Sequence, residues 1–349
     1  MAHNPIGFAI VGTGMIAGVH AQAINAVDGA RLVGVVSRSP DKAAAFCEQH
    51  GAEVVTATAA EMAARSDVQV LNITTPSGAH LEPALAAIAA GKHVVVEKPL
   101  EATTARADQI IAAAQVAGVH LAPIFQNRFS AGARTVKAAI EAGRLGRLAT
   151  AGCYVKWFRT EAYYQGSPWK GTLKLDGGGA VMNQAIHGVD LLQWFAGLPE
   201  EVSAMTTRRV HTGIEAEDTA VAIMRFPDGA LGTIEATTAA WPGWSLRIEL
   251  CGENGSIRLE DGVITEWQFR EELPEDAAVR AGGDASLGSG AGSPGGISIE
   301  GHKRQIEDLV AAIREDRPLT ISGPESRRSV ALITALYESG NTGQPVRIG

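Results

Sequence analysis

The stretch "IGFAIVGTGMIA", residues 6–17, decides how the N-terminal part of this chain folds. An apolar run typical of a buried strand passes directly into a glycine turn and then into a helical pattern. Gly12, Gly14 and Ala17 fit the spacing G-x-G-x-x-G/A, in which the glycines permit a tight turn and close approach of a phosphate. Amides at the helix start and the helix dipole favour a pyrophosphate there. The alternative is an ordinary glycine turn. The expected contacts to a dinucleotide are Gly12, Thr13, Gly14, Met15 and Ile16.

Outward from this stretch, short apolar runs alternate with helical patterns as far as Gln126. Strands that alternate with helices indicate βαβ units, and hence a parallel sheet with right-handed crossovers. We therefore predict an α/β fold whose first part, residues 1–125, is a Rossmann dinucleotide-binding domain. This context favours the nucleotide interpretation of the glycine turn.

The character of the chain changes after Gln126. A helix and a strand lead to a second glycine-rich stretch, and from Val202 onward the pattern is mostly strands, some of them separated by the turn signals "PDG" and "ENG". This pattern predicts a second α/β domain over residues 126–349, with a large open, mostly antiparallel sheet. The segment from Ala281 to Gly296, rich in glycine and serine, is expected to be a flexible surface loop or a mobile flap.

Composition excludes several classes of partner. The 349 residues are 46% hydrophobic and carry a formal net charge of −8 without a long basic run, which argues against binding nucleic acid or an anionic membrane. Neither a signal-peptide pattern nor an apolar run long enough to span a bilayer occurs. The three scattered cysteines show no metal-ligand spacing and are typical of reduced thiols. We expect a soluble, cytoplasmic protein without a bound metal.

The end of the second predicted strand bears on the choice of cofactor. NAD enzymes usually carry an acidic residue at this point, which holds the ribose 2′-hydroxyl. Here Ser37 and Arg38 occupy it. Because a guanidinium can pair with a 2′-phosphate and stack on adenine, Arg38 favours NADP. The alternative is that Arg38 only stacks on the adenine, so that NAD binds as well.

The stretch "VVVEKPL" places Glu97, Lys98 and Pro99 just beyond the end of a predicted buried strand. Ligands of open α/β sheets bind at this carboxyl edge. Lys98 is therefore a candidate for polarising a substrate oxygen or, if burial lowers its pKa, for proton transfer. The alternative is a salt bridge from Lys98 to Glu97. We expect the Lys98–Pro99 peptide to be cis, because the lysine must turn at the strand end and the cis form costs little before proline.

A second stretch with catalytic potential is "DGGGAVMNQAIHGVDLLQW", residues 176–194. Its helical pattern is apolar apart from Asn183, His187 and Asp190, whose spacing of i, i+4 and i+7 predicts one shared face of an α-helix. A histidine on such a face is a candidate general acid/base. The alternative is a histidine that is satisfied in the core.

Several motifs, taken in chain order, resemble one family. They are "GTGMIA" near the start, "TTPSGAH" from Thr74, "AGKHVVVEKPL" from Ala90, "DGGGAVMNQAIHGVD" from Asp176 and "ALYESGNTGQPV" near the end. Together they resemble the glucose–fructose oxidoreductase / inositol dehydrogenase / rhizopine-catabolism (Gfo/Idh/MocA) family over essentially the whole chain. The resemblance implies a Rossmann domain followed by an α/β domain, whose open sheet often forms dimers or tetramers.

The resemblance also implies hydride transfer between a nicotinamide cofactor and a carbinol or carbonyl, mostly on sugars and cyclitols. Lys98 would hold and polarise the reacting oxygen, and His187 would be the general acid/base, with its helix facing the nicotinamide. The three glycines before the helix would let the backbone pass close to the ligands. Further cofactor contacts are expected, beyond the first glycine turn, from Ser37, Arg38, Thr74, Thr75, Pro76, His80, Glu97, Lys98 and Asn127.

One position departs from the family pattern. Many members carry Asp four residues before the histidine, where this chain has Asn183. An amide cannot take up a proton, but it can hydrogen-bond a sugar hydroxyl. We therefore include Asn183 with Lys98 and His187 among the catalytic candidates. Asp190 could orient the imidazole or only cap local backbone.

The segment "WFRTEAYYQGSPWKGTLKLDGGG" that precedes the helix resembles the substrate loop of family members acting on pyranosides. The alternative is a surface loop with aromatic residues packed beneath it. Substrate contacts are expected from Lys98, Arg159, Tyr163, Trp169, Lys170, Asn183 and His187.

The leading hypothesis is an NAD(P)-dependent dehydrogenase of a sugar, pyranoside or cyclitol that assembles as a homo-oligomer through its open sheet. A ketosugar reductase would use the same site in the opposite direction. A catalytically silent dinucleotide-binding sensor is the alternative from another class, and retention of both Lys98 and His187 argues against it.

Overall fold

The computed structural model describes residues 4–282 and 298–348. From residue 283 onward, the predicted loop at Ala281 to Gly296 lies outside the described residues. The chain divides into two compact units. The first comprises Met1–Gln126 and Ile299–Arg327, and the second comprises Asn127–Ser298 and Arg328–Gly349.

The first unit contains a six-stranded sheet in the order β3-β2-β1-β4-β5-β6, in which every neighbouring pair is parallel. Helices connect the successive strands, which is the arrangement that the alternating pattern predicts, so the Rossmann fold is confirmed. Its elements run β1 Ile6–Val11, α1 Met15–Asn25, β2 Ala30–Val36, α2 Pro40–His50, β3 Val54–Thr56, α3 Ala59–Ala63, β4 Val70–Ile73, α4 Leu81–Ala89, β5 His93–Val96, α5 Thr104–Ala117 and β6 Leu121–Pro123.

The second unit contains an eight-stranded sheet in the order β13-β12-β11-β7-β10-β9-β8-β14. Only the central pair, β7 and β10, is parallel, so the prediction of a large, mostly antiparallel sheet is confirmed. The elements that follow β6 are α6 Ala131–Glu141, β7 Leu148–Lys156, α7 Glu161–Gln165, α8 Ile186–Ala196, β8 Glu201–Thr207, β9 Thr219–Arg225, β10 Leu231–Thr237, β11 Arg247–Gly252, β12 Gly255–Glu260, β13 Val263–Phe269, α9 Asp276–Ala281, α10 Glu300–Glu315, α11 Gly323–Thr342 and β14 Val346–Arg347.

Alternation along the strands assigns the two faces of this sheet. In β9 and β10 every second residue is buried, as the period of two requires. Helix α8 packs against β7 on the buried face, and the approach is close: a Cβ added to Gly188 would lie 2.6 Å from the Sγ of Cys153. The helix that bears His187 is therefore fixed against the centre of the sheet.

The compact units differ from the predicted domain limits in one segment. The predicted second domain, residues 126–349, includes helix α10, but this helix belongs to the first unit. Its Ile306, Leu309 and Val310 share a buried cluster with residues of α1 and β1, and Gln305 accepts a hydrogen bond from the Phe125 backbone amide. The apolar face of α10 predicts that this helix packs against another element, but it does not identify the sheet to which that element belongs.

Two further predictions can be compared with the backbone. The Lys98–Pro99 peptide is cis, as expected. In the part of the chain that the structure describes, no helix combines the length and the apolar character needed to cross a membrane.

Candidate active site

The glycine turn of the first unit has the geometry that the dinucleotide fingerprint requires. Gly12 has a φ of +115°, and a Cβ there would lie 2.9 Å from the Oγ1 of Thr74. Gly14 is the N-cap of α1, which has no side-chain cap and no acidic residue in its first turn. Met15 and Ile16 begin the helix. A helix start with no side-chain cap and no acidic residue in its first turn suits a pyrophosphate. The residues present therefore fit a dinucleotide.

The loops at the ends of β2 and β4 hold the other expected cofactor residues. Arg38 is exposed directly after β2, while the Ser37 hydroxyl donates to the Ser39 carbonyl at 3.2 Å. Thr74 is buried and ties β4 to β1 through its hydroxyl, which donates to the Val11 carbonyl at 2.9 Å. The Thr75 hydroxyl donates to the Ala79 carbonyl. Thr13 and Pro76 are half-buried beside these positions.

His80 is engaged by the protein itself. Its ring is buried, with Nδ1 3.0 Å from the Pro99 carbonyl and Nε2 2.9 Å from the Thr75 carbonyl. Burial lowers the pKa of this imidazole. His80 therefore braces the loop after β4 against the turn that follows Lys98, a structural role that its position in the sequence did not reveal.

Lys98 stands half-buried just past the carboxyl end of β5, at the edge where the sequence places it. The preceding Glu97 is buried and accepts the Lys98 backbone amide at 3.0 Å. The other Glu97 oxygen lies 2.8 Å from His20 Nε2 and 3.5 Å from His302 Nε2. Burial alone would raise the pKa of the Glu97 carboxyl, but the two histidines outweigh it and hold that pKa well below its usual range.

His20, Glu97 and His302 offer possible metal-ligand atoms within 4.8 Å of one another, a group that no local spacing in the sequence predicts. Two of these atoms, His20 Nε2 and Glu97 Oε1, contact each other at 2.8 Å, which is the spacing of a hydrogen bond. Asn72 holds the other ring nitrogen of His20 at 3.0 Å. Glu97, His20 and His302 therefore form a buried carboxylate–imidazole cluster next to Lys98, which we call the Glu97 cluster.

In the second unit, the predicted continuous α-helix begins as a π-helix. Residues Ala180–Ala185 form the π-helical turn, and α8 starts only at Ile186. Because a π-helix closes its hydrogen bonds one residue later than an α-helix, the face predicted from a 3.6-residue period is shifted at Asn183. From Gly178 to Gln193, all residues are buried except Asn183 and His187, which are partly exposed. Asn183 and His187 are thus the polar side chains of this segment that remain partly accessible to solvent.

Asp190 does not belong with them. It is buried, and its carboxylate accepts from Arg128 Nε and Nη2 at 2.6 and 2.7 Å and from the Ser329 hydroxyl at 2.9 Å. The suggestion that Asp190 caps local backbone is wrong, because its oxygens are taken by these side chains. The pair instead anchors α8 to the turn that contains Asn127, which is half-buried at the start of the second unit.

Asn183 lies within a hydrogen-bonded chain of side chains. Its Nδ2 donates to Asp176 Oδ1 at 2.5 Å, and its Oδ1 accepts from Gln184 Nε2 at 2.7 Å. The Gln184 amide also donates to the Tyr163 hydroxyl at 2.8 Å, and its oxygen accepts from Arg159 Nη2 at 2.6 Å. The structure therefore brings Asn183, Tyr163 and Arg159 together, as expected of substrate residues. Asp176 and Gln184 connect them.

The remaining substrate candidates surround this chain. Lys170 Nζ lies 3.6 Å from the centroid of the Tyr163 ring, and Trp169 is half-buried, with its carbonyl accepting the Thr172 hydroxyl. Burial raises the pKa of Tyr163 to about 12 and raises that of Tyr164 further. Both phenols therefore stay protonated at neutral pH.

Sequence reasoning missed Gln184, the role of Asp176, and the His20 and His302 partners of Glu97. Gln184 stands beside Asn183 in "MNQAIH", but an α-helical pattern would turn it to another face. The histidines are separated from Glu97 by 77 residues on one side and by about 200 on the other. No local spacing could have connected them.

Comparison with known proteins defines the class of this chain. Residues 6–125 match the model of an oxidoreductase family with an NAD-binding Rossmann fold, and residues 133–258 match that of the GFO/IDH/MocA C-terminal domain. The chain therefore belongs to the Gfo/Idh/MocA family, and it is an oxidoreductase that binds NAD(P).

Three individual proteins illustrate what this chain is similar to. The WlbA dehydrogenase from Bordetella pertussis, solved with NADH and UDP-GlcNAcA, is 34% identical, with a TM-score of 0.90 over 100% of this chain and 99% of that one. Inositol 2-dehydrogenase 3 from Saccharopolyspora erythraea is 29% identical, with 78% of this chain and 76% of that protein covered. 1,5-Anhydro-D-fructose reductase from Ensifer adhaerens is 28% identical, with 72% and 77% covered.

Proposed function

We propose that this protein is an NAD(P)-dependent dehydrogenase that oxidises a hydroxyl group of a sugar, pyranoside or cyclitol. The observation that carries the proposal is the pair Asn183 and His187, the two partly exposed residues on an otherwise buried helical segment. It is supported by a lysine at the carboxyl edge of the parallel sheet. The alternative is a ketosugar reductase, which would use the same groups in the reverse direction.

The cofactor, when bound, supplies the acceptor of the hydride. His187 takes the proton of the substrate hydroxyl as general base. The Lys98 ammonium stabilises the negative charge that develops on the same oxygen. Asn183 orients a neighbouring hydroxyl, since Asp176 and Gln184 fix both ends of its amide. The buried Glu97 carboxylate fixes the backbone of Lys98 by accepting a hydrogen bond from its amide.

Among sugar substrates, we place anionic sugar derivatives first. Arg159 and Lys170 add two cationic groups beside Tyr163, and WlbA, which was solved with UDP-GlcNAcA, is similar over the whole chain. A carboxylate or phosphate on the substrate would pair with these cations. Inositols and anhydro-sugars, on which the two other relatives act according to their names, are the neutral alternatives.

The cofactor proposal is NADP, with NAD as the alternative. Arg38, exposed just after β2, supports NADP because it can pair with a 2′-phosphate. The NADH bound to WlbA favours NAD. Competition between the two cofactors decides this point.

The test is a spectrophotometric assay with NADP⁺ and NAD⁺ against UDP-GlcNAcA and myo-inositol, and with NADPH and NADH against 1,5-anhydro-D-fructose. We expect turnover with at least one pair, lost in the His187→Ala variant. Binding of cofactor without turnover on any of these compounds would contradict the proposal and would favour a sensor.

We further propose that a second copy of this chain covers the exposed face of the eight-stranded sheet, giving a dimer or tetramer. Four apolar side chains at least half exposed lie on this face of β8, β9 and β10, beside the charged Arg225 and the ion pair of Glu235 with Lys156. A twofold axis brings such a face onto itself, so that its apolar side chains cover one another. Ile223→Glu should then lower the mass measured by light scattering. The four side chains are Met205, Val221, Ile223 and Leu231.

A cytoplasmic location of this protein stays a prediction.

A further inference from the structure

The helical segment that carries Asn183 and His187 begins against two residues from distant parts of the chain. A Cβ on Gly179 would lie 1.8 Å from the Glu217 carbonyl oxygen, and one on Gly178 would lie 2.2 Å from the Tyr337 hydroxyl. The lack of a side chain at these two glycines therefore makes room for Glu217 and Tyr337. That the three glycines also let the backbone pass close to the ligands stays a prediction.

Four successive backbone amides at the start of the segment are bound by these two residues. Gly179 N donates to Glu217 Oε2 at 3.0 Å, Ala180 N to the Glu217 carbonyl at 3.0 Å, and Val181 N to Glu217 Oε1 at 2.8 Å. Met182 N donates to the Tyr337 hydroxyl at 3.0 Å. The first four amides of a helix have no partner within it, so this pair supplies the complete N-terminal cap.

The two cap residues are also bonded to each other. The Tyr337 hydroxyl donates to Glu217 Oε1 at 2.9 Å while it accepts from Met182. Burial raises the pKa of Tyr337 well above its usual range, which keeps this donor protonated. Tyr337 belongs to the stretch "ALYESG", which neither the cofactor nor the substrate contacts explain.

We propose that Glu217 and Tyr337 are positioning residues that hold the π-helical turn Ala180–Ala185, and through it Asn183, in the register needed for the proposed reaction. The inference rests on the proposed function of Asn183 and His187. If the cap were lost, the turn could relax to α-helical register. That change would rotate side chains within the turn relative to α8 by up to roughly 100°, the angle of one helical position. The contact of Asn183 with Asp176 would then be lost.

The Glu217 carboxyl of the cap ionises within the pH range in which enzymes are usually assayed. Burial raises the pKa of Glu217 to about 7, although the Val181 amide and the Tyr337 hydroxyl oppose the shift. Among the described groups that hydrogen-bond the Glu217 carboxyl, Tyr337 is the one with an ionisable side chain, and the others are backbone amides. The adjacent Asp218 instead accepts from the amides of residues 209–211 and from the Thr219 hydroxyl. The strength of the cap should therefore vary around neutral pH.

The experiment compares Tyr337→Phe and Glu217→Gln with the parent, using Asp218→Asn as the matched control. All are followed by hydrogen–deuterium exchange of the peptides that cover residues 178–187 and residues 209–211. We expect exchange at residues 179–182 to be at least tenfold faster in the two cap variants and unchanged in the control, which should affect residues 209–211 instead. Protection of residues 179–182, corrected for intrinsic exchange, should change between pH 6 and 8 in the parent but not in Glu217→Gln.

Turnover gives the second readout. With the substrate identified in the assay above, Tyr337→Phe should lower kcat about tenfold and leave the KM for the cofactor within twofold. Unchanged exchange in both cap variants would overturn the cap. Faster exchange with unchanged kcat would overturn the positioning role. An inactive parent would contradict the proposed function alone, since exchange needs no substrate. Tyr337→Phe is a mild change, so the test does not depend on whether Glu217→Gln folds.

Discussion

The carboxylate of Asp176 accepts a hydrogen bond from the side-chain amide of Asn183 at 2.5 Å. The residue before the glycine triplet thus places a carboxylate beside Asn183, the position at which the family pattern often has Asp. If Asn183 takes part in the proposed reaction, the two side chains act together.

Asn183→Asp should lower turnover because it would place two carboxylates within hydrogen-bonding distance. Such a pair retains one proton to higher pH than a single carboxyl does. We expect a kcat at least tenfold lower above neutral pH, with partial recovery on acidification. The double variant Asp176→Asn/Asn183→Asp restores one acid and one amide, and it should recover most of the activity. No recovery in the double variant would show that the two positions are not interchangeable.

His187→Ala should reduce kcat by roughly 10²–10⁴-fold, the usual contribution of a general acid/base, while the cofactor Kd stays nearly unchanged. Lys98→Ala should cost at least as much. The two losses should not add, since in the proposed reaction both groups act on one oxygen. Steady-state kinetics and fluorescence titration of the cofactor measure both quantities. A His187→Ala enzyme within a few-fold of the parent would mean that another group carries the proton.

Arg38→Ala should weaken NADP binding more than NAD binding. A charge-assisted hydrogen bond is worth about 1.5–3 kcal/mol, so the Kd for NADP should rise at least tenfold and that for NAD much less. Lys42→Ala, an exposed cation in the helix that follows, is the control. Equal losses for both cofactors would show that Arg38 only stacks on the adenine.

The pH dependence of stability should report the raised pKa of Glu217. This pKa is about 7 in the folded protein, against 4.5 as the ordinary value. Between these values the folded state keeps a proton that the unfolded state has lost. The contribution to stability is therefore present below about pH 4.5 and is lost as pH rises through 7, in total roughly 3 kcal/mol. Glu217→Gln should remove this part of the pH dependence in denaturant unfolding. An identical slope in both proteins would rule out the shift.

The buried pair of Arg128 and Asp190 should be essential to stability. Its side chains are 2% and 1% exposed, so Arg128→Met would leave the carboxylate buried without its charged partner. Loss of one member of such a pair costs about 3–5 kcal/mol. Arg147→Met, which breaks an ion pair on the surface, is the control and should change the unfolding midpoint little. Similar effects of the two substitutions would contradict this view of the pair.

The sequence by itself determined the local elements and their chemistry. The strand–turn–helix around Gly12 has the predicted backbone geometry. The parallel and antiparallel sheets, the family and the position of Lys98 at a strand end also follow from short-range patterns. These features depend on side-chain period, glycine turns and strand order, all of which are encoded within some tens of residues.

Only the tertiary structure decided which distant residues support the site. Glu217 and Tyr337 are 120 residues apart, and the Arg128–Asp190 pair spans 62. The turn that contains Asn183 is π-helical and its first amides are bound by Glu217 and Tyr337, so an α-helical period could not place Asn183. Likewise, helix α10 packs in the first unit because its apolar face fits the cluster around α1. Periodicity shows that a face is buried, but the partner that buries it is selected by packing and hydrogen bonding between segments far apart in the chain.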